Sequence, residues 1–374
     1  MSESPHRRGH ISWSTWIILL LNAGLVIALL LCYLAASVPP RTIGYVALFG
    51  LAYPFILIAN CIFIIYWFFK KRRYALISFV AIALGFGYVT DVVQLNIFGK
   101  NRKGEHAIKV MTYNVRLFGL YSQEHPQAMK KKIFDLLDKQ EADLLCFQEF
   151  YYTDKKGEFE TRDTLTKFLP TKYYHERYTH SMNGRKYFGV ALFSKYPIVK
   201  KGYIPFESDV NNFCIYADLL IDGDTVRLYN AHLASIRFQK EDYALISDNQ
   251  NHEELDQGGK RIARRLRSGF IRREEQVQRI LENVRTCKYP VILCGDFNDP
   301  PVSYCYSKLT GELQDSFIEV GNGVGNTYNG AFPSFRIDYV LHSDEFVALD
   351  YTTLSEEYSD HFPVVVTLAK KSAD

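Results

Sequence analysis

Three apolar runs fill most of the first hundred residues: Trp13 to Ser37, Ile43 to Phe69 and Tyr74 to Leu95. A helix needs about 20 apolar residues to cross the hydrocarbon core of a bilayer. Each run is that long, so three transmembrane helices are expected over about 13–37, 43–69 and 74–95. A cleavable signal peptide fits poorly, because its apolar region would be only about 7 to 15 residues long and two further spans follow. Trp13, Trp16, Tyr66 and Trp67 stand near run ends, where amphipathic rings favour the membrane interface. The main polar residues inside the runs are Asn22, Asn60 and Asp91, which disfavours a transporter whose working part is the helices.

Basic residues in the short loops set an expected orientation. Arg7 and Arg8 precede the first run, and Lys70 to Arg73 separate the second from the third. Both groups are expected in the cytoplasm, which leaves the rest of the chain outside it, against Lys100, Arg102, Lys103 and Lys109 just beyond the third run. Residues 96–107 are polar and Gly-containing and read as a linker, 100–107 in its narrowest bounds. The expected division is therefore a membrane anchor over 1–99, the linker, and a folded domain over 108–370.

From Ile108 the pattern changes to strand-like runs alternating with amphipathic helices. Met129, Ile133, Phe134, Leu136 and Leu137 recur at helical spacing, as do Val277, Ile280, Leu281 and Val284. Val291 to Cys294 read as a buried strand, after which Gly295 lets the backbone turn and Pro300-Pro301 ends the segment. Asp296 and Asn298 are two apart, so on extended backbone they face one spot at the strand's carboxyl end. A carboxylate buried in a cleft is costly unless a cation, a proton or a hydrogen-bond donor compensates it.

The same arrangement of polar residues beside an apolar run recurs along the chain. Asn114 closes Thr112-Tyr113-Asn114, and Glu149 follows Gln148 after Leu144 to Phe147. Asn230 and His232 lie in Tyr229 to His232, Asp338 in Arg336 to Leu341, and Asp360 and His361 in Ser359 to Pro363. In this order, TYN, QE, NAHL, GDFN, RIDYVL and SDHFPV resemble the endonuclease/exonuclease/phosphatase superfamily, which includes pancreatic-type deoxyribonucleases, abasic-site endonucleases, inositol polyphosphate 5-phosphatases and neutral sphingomyelinases. The resemblance covers roughly residues 106 to 370, with GDFN and SDHFPV its specific motifs, and suggests a membrane-anchored member of bacterial type.

That resemblance implies a four-layer α/β sandwich of two packed mixed β-sheets flanked by helices, here preceded by three transmembrane helices. It also implies a divalent-metal phosphoester hydrolase. Such chemistry needs an activated water, neutralised phosphoryl oxygens and a stabilised leaving oxygen. Glu149 suits a hard cation, Mg2+ or Mn2+ with Ca2+ as the alternative, and Asn114 and Asp360 join it as metal candidates. Asp338 and His361 are expected to form a carboxylate–histidine pair. Either His361 holds the phosphate while Asp296 orients the water, or His361 is the base. Asn298 and Asn230 are expected to donate to phosphate oxygens, and His232 to contact the phosphate or protonate the leaving group.

The substrate stays open at this level: nucleic acid, a nucleotide or a phosphorylated lipid head group, cleaved by a phosphodiesterase or nuclease, a phosphatase or a phospholipase C-like enzyme. A catalytically idle membrane-bound binding module is the rival class, disfavoured by the complete polar set. The bilayer is the other expected partner, in a multi-pass protein of the bacterial inner membrane or its equivalent, and no obligate protein partner is implied. A net charge of +3 does not by itself argue for a nucleic-acid binder. The seven cysteines lack a CxxC pair and read as small buried hydrophobes, which argues against a thiolate zinc site. Lys260, Arg261, Arg264, Arg265, Arg267, Arg272 and Arg273 form a basic stretch, by default a solvated helix face, with a polyanion path or anionic-lipid contact as the sharper alternative.

Overall fold

The computed structural model describes residues 12–96, 104–122, 125–207, 209, 211–236, 239, 241–242, 252–330 and 335–371. Helix α1 (Trp13–Ser37) starts at Ser12, whose side chain accepts the Thr15 amide. Helix α2 (Ala47–Lys70) runs back beside it, starting four residues later than the apolar run. With 25 and 24 residues these helices extend roughly 36 Å, enough to cross a membrane. The third run is not one straight span. It divides into α3 (Arg72–Leu84) and α4 (Phe86–Val92), bent by 67° at Gly85, and counts as a third crossing only if the bent pair is taken together. At the break the Tyr33 ring lies where a Cβ on residue 85 would stand, a contact that glycine admits.

A closed polar network locks these helices to one another. Asn22 Nδ2 donates to Ser78 Oγ (2.6 Å), Ser78 Oγ to Asn60 Oδ1 (2.9 Å) and Trp67 Nε1 to Asn22 Oδ1 (3.0 Å). Asn60 Nδ2 completes it on the carbonyls of Leu25 and Ile56. The two asparagines therefore satisfy each other's helices rather than lining a path.

Two six-stranded mixed sheets follow. The first has the order β11-β12-β1-β2-β4-β3, from strands β1 (Glu105–Asn114), β2 (Leu144–Thr153), β3 (Tyr173–Met182), β4 (Lys186–Ser194), β11 (Phe346–Thr353) and β12 (Val364–Lys370). The second has the order β5-β6-β7-β8-β10-β9, from β5 (Ile198–Pro205), β6 (Phe213–Ile221), β7 (Asp224–His232), β8 (Val291–Asp296), β9 (Gln314–Asp315) and β10 (Asp338–His342). The period of two sorts the side chains. Ile108, Val110, Leu144, Cys146, Val364 and Val366 point into the core shared by the two sheets. Met111, Tyr113, Leu145 and Phe147 point outward onto Ile133, Phe134 and Leu137 of α5 (Pro126–Gln140). The long helix His252–Arg285 covers the second sheet with Val277, Ile280 and Leu281. The result is an α/β sandwich, and β1 begins at Glu105, so residues 105–107 are strand rather than linker. Residues 100–103 of the expected linker lie outside the described residues, as do Arg7 and Arg8.

The apolar helices are bolted to the sandwich. Arg41 bonds Glu274 through its amide and its guanidinium, both at 2.8 Å. Arg267 stacks over Tyr45 with 5.6 Å to the ring centroid, and Gln94 pairs with Gly323 as an isolated bridge.

Candidate active site

Register delivers three of the expected residues to one row. In the second sheet His232 sits opposite Asp296 in the parallel β7–β8 pair, and Asp296 sits opposite Asp338 in the antiparallel β8–β10 pair. Residues opposite one another in a ladder share a face, so the three side chains gather at one end of the sheet. The approach of β7 and β8 is close. A Cβ on residue 295 would lie 1.9 Å from the Ala231 carbonyl oxygen, and Gly295 has φ 147°, which only glycine adopts without strain. Gly295 therefore lies within β8 and permits this contact, where the sequence suggested a turn.

Asn298 reaches the site by a different route from strand alternation. Its φ is 53°, its amide donates to Asp296 Oδ1 at 2.9 Å, and the two residues form an Asx turn. One Asn298 Nδ2 proton goes to the Leu233 carbonyl at 3.1 Å. The remaining amide functions face the cavity, which Asn298 lines together with Asp296.

The first sheet contributes Asn114 and Glu149. Between Phe147 and Phe150 the β2–β4 register shifts, and Glu149 takes φ 49° inside the irregularity. A bulge re-aims a side chain, and this one sends Glu149 into the same cavity as His232, Asp296, Asp360 and His361. Asn114 lies behind Asp296: its Nδ2 donates to Asp296 Oδ2 at 3.0 Å and its Oδ1 accepts the Arg116 amide.

Asp296 Oδ2 is the centre of the group. It lies 3.7 Å from His232 Nε2 and 3.7 Å from His361 Nε2. Both gaps are too long for direct hydrogen bonds and leave room for a bridging oxygen. On the far side, His361 Nδ1 bonds Asp338 Oδ2 at 2.9 Å. Burial opposes the charge on His361, but Asp338 and Asp296 outweigh it and carry the ring's pKa up to about 10. Burial raises Asp338 to about 6, with His361 pulling the other way. The direction that geometry supports is an imidazolium held between two carboxylates. The Tyr328 ring closes one side of His361, edge to face at 5.3 Å between centroids.

Asn230 does not join the cavity. It is fully buried, both Nδ2 protons go to the carbonyls of Phe147 and Ala191, and its Oδ1 accepts from Gln148 at 2.6 Å. With its donors spent, it cannot serve as the expected phosphate ligand; it ties β7 to β2 and β4, beside the bulge that carries Glu149. Sequence reasoning also missed Tyr328, whose role rests on an isolated bridge to His361, and Arg116, whose guanidinium lies 3.5 Å from Asp360 Oδ2. Neither has a local pattern that marks it.

Asp296, Asp338 and His361 each place one ligand-type atom within 4.8 Å of the others, close enough to bracket a cation. Their atoms are already engaged, however: Asp338 on His361, and Asp296 on Asn114 and Asn298. Glu149 and Asp360 offer carboxylate oxygens at the cavity wall, the donor type a hard divalent cation takes. Among the described residues, no hydrogen bond or ion pair engages the Glu149 carboxylate. The donor set therefore fits such an ion.

Much of the basic stretch on the long helix is paired within the protein, while Lys260 and Arg264 are exposed. Arg261 and Arg265 pair with Asp242, Arg272 with Asp209 and Arg273 with the buried Asp299. That helix reaches the cavity through Ile262 and Leu266 instead.

The profile of the endonuclease/exonuclease/phosphatase family matches residues 111–361. The chain belongs to that family. Residues 15–92 match a second profile, described as a domain of unknown function (DUF8431). No curated protein matches the sequence. The human Nocturnin catalytic domain with bound sulfate anion aligns at TM-score 0.52 and 18% identity, covering 71% of this chain and 94% of that one. A humanized D. rerio TDP2 aligns at 0.51 and 12%, covering 71% and 99%. An endonuclease/exonuclease/phosphatase from Bacteroides vulgatus aligns at 0.51 and 16%, covering 71% and 100%. At such identities the likeness is one of fold. Family membership makes this fold a phosphoester-hydrolase scaffold, and the helices ahead of it include two apolar and long enough to cross a membrane.

Proposed function

We propose that this protein is a membrane-tethered, divalent-metal-dependent phosphoester hydrolase that uses an activated water. The observation carrying the reading is Asp296 Oδ2 standing 3.7 Å from two imidazoles, one of them backed by a buried carboxylate, in a cavity that Glu149 also enters. Glu149, with Asp360 beside it and Asn114 behind, would hold a cation, Mg2+ or Mn2+ in preference to Ca2+. The cation, when bound, neutralises phosphoryl charge and acidifies water.

The chain's own groups divide the remaining work. Asp296 is a fixed acceptor, its Oδ1 pinned by the Asn298 amide, and it orients the attacking water and takes its proton. His361, charged between Asp338 and Asp296, donates to a phosphoryl oxygen, which favours this assignment over His361 as the base. Asn298 presents its free amide functions to the same oxygens. His232, on the opposite side of Asp296, supplies a proton to the departing oxygen.

The helices over residues 13–92 are the proposed anchor, with the bent α3–α4 pair as one crossing, and residues 105–371 the hydrolytic part. Lys70 to Arg73 stand about 33 Å along α2 from the cavity residue Leu48, which supports a cytoplasmic loop and a hydrolytic part on the other side of the membrane.

The test is hydrolysis of a chromogenic phosphodiester by the purified full-length protein. Turnover in Mg2+ or Mn2+ that stops in chelator is expected, with Asp296→Asn and His361→Gln each losing orders of magnitude while folded. Turnover indifferent to chelator would remove the cation, and near-normal variants would remove the residue roles.

A further inference from the structure

The hydrolytic cavity has two unlike walls. Beside the carboxylates and imidazoles it is lined by Leu48, Leu51, Ala52 and Phe55 of α2, joined by Ile262 and Leu266 of the long helix, around a space of about 600 Å³. That volume is in the range of small-molecule sites. The first group comes from a helix long and apolar enough to span a bilayer. Leu48 to Phe55 occupy roughly 10 Å of helix rise, the depth of a head-group zone and the start of the acyl region.

The apolar wall does not stop at the cavity. From Phe55 the exposed positions Ile58, Ile62, Ile65 and Phe69 follow at steps of three and four, which is one face of α2 running away from the site. A hydrocarbon chain lying on that face reaches the cavity without meeting water. A nucleic acid meets other conditions: its binding rests on cations free to replace counterions, and Arg261, Arg265, Arg272 and Arg273 of the long helix are taken by Asp242, Asp209 and Asp299.

We propose that the substrate is a membrane amphiphile, a phosphoester whose hydrocarbon chain lies along α2 while its phosphate reaches Asp296 and His361. The proposal rests on the hydrolase reading above. In the reaction a water oxygen bonds to phosphorus and its proton passes to Asp296. The bond from phosphorus to the departing ester oxygen breaks, its electron pair stays on that oxygen, and a proton from His232 makes it an alcohol.

The experiment uses full-length protein in nanodiscs with Mg2+ and compares para-nitrophenyl hexadecyl phosphate, para-nitrophenyl ethyl phosphate and a DNA oligonucleotide. The two aryl esters share a reaction centre and differ only in the chain. The expected kcat/KM ratio of hexadecyl to ethyl is on the order of 100, the scale of discrimination in hydrophobic pockets. Leu51→Gln, and separately the cavity-filling Ala52→Phe, should lower that ratio about tenfold. Leu20→Gln, on the exposed surface of α1, should leave it as it was, which separates the cavity wall from simple partitioning into the disc. A ratio near one, a ratio the wall variants do not move while ethyl turnover shows them folded, or preferred cleavage of DNA would each overturn the proposal and leave the hydrolase reading standing. No hydrolysis of any of the three would bring down the hydrolase reading itself, and the proposal with it.

Discussion

The guanidinium of Arg336 donates to the backbone carbonyl of Asp91 at 2.8 Å, linking the last turn of the apolar helices to a residue two positions before Asp338. The same side chain bonds Asp315 Oδ2 at 2.5 Å and lies against Phe317 and Tyr339. One buried cation thus couples the membrane-type helices, the second sheet and the strand that backs His361.

Arg336→Met should be strongly destabilising. It leaves the Asp315 carboxylate buried with the Tyr306 hydroxyl and the Phe317 amide but no countercharge, and a stranded buried charge costs about 3–5 kcal/mol. Thermal unfolding in detergent measures it, and a loss under about 1 kcal/mol would mean water reaches Asp315.

Asp338→Asn should keep the fold and lose turnover. The carboxamide accepts from His361 Nδ1 but cannot hold its charge, and the corresponding change in a serine-protease triad costs about 10⁴ in kcat. A loss of roughly 10²–10⁴ is expected here, read with a chromogenic phosphodiester beside circular dichroism.

Asn230→Leu separates positioning from ligand binding. The change takes the side-chain donor from the carbonyls of Phe147 and Ala191 and one of three acceptors from Gln148 Nε2, which keeps Thr112 Oγ1 and the Cys146 carbonyl, at about 1–3 kcal/mol for each buried group left unpaired. Stability should therefore fall while KM stays near wild type. A raised KM at unchanged stability would return Asn230 to the phosphate site.

The His361 pair also predicts a pH dependence of stability. The folded ring titrates at about 10 against an ordinary 6.5, so its contribution is complete below 6.5 and is lost as the pH rises through about 10. In chelator, the melting temperature should drop more steeply between those limits for wild type than for His361→Gln. Parallel curves would show that His361 is not held as a cation.

Much of the fold was legible because its patterns are local. Alternation at Ile108, Val110 and Thr112 marks a strand facing a core whatever lies across from it, and 20-residue apolar runs announce membrane-length helices. The polar residues at or near the ends of those strands, Asp296, Asp338 and His361 above all, were visible in the motifs. What spacing misjudged were the backbone details: Asn298 turned by an Asx bond, Gly295 held in a strand by close contact, and the third run bent where Tyr33 meets Gly85.

By itself, then, the sequence determined the element types, the apolar segments and the set of chemistry-bearing side chains, since each follows from residues a few positions apart. Only the tertiary structure decided which of those groups meet. It spent Asn230 on carbonyls of two neighbouring strands, paired arginines of the basic helix with Asp242, Asp209 and Asp299, and brought Leu48, Leu51, Ala52 and Phe55 of α2 to the cavity that holds Asp296. Those outcomes depend on packing between segments up to about 250 residues apart, where no periodicity carries information and only the filling of space selects the partner.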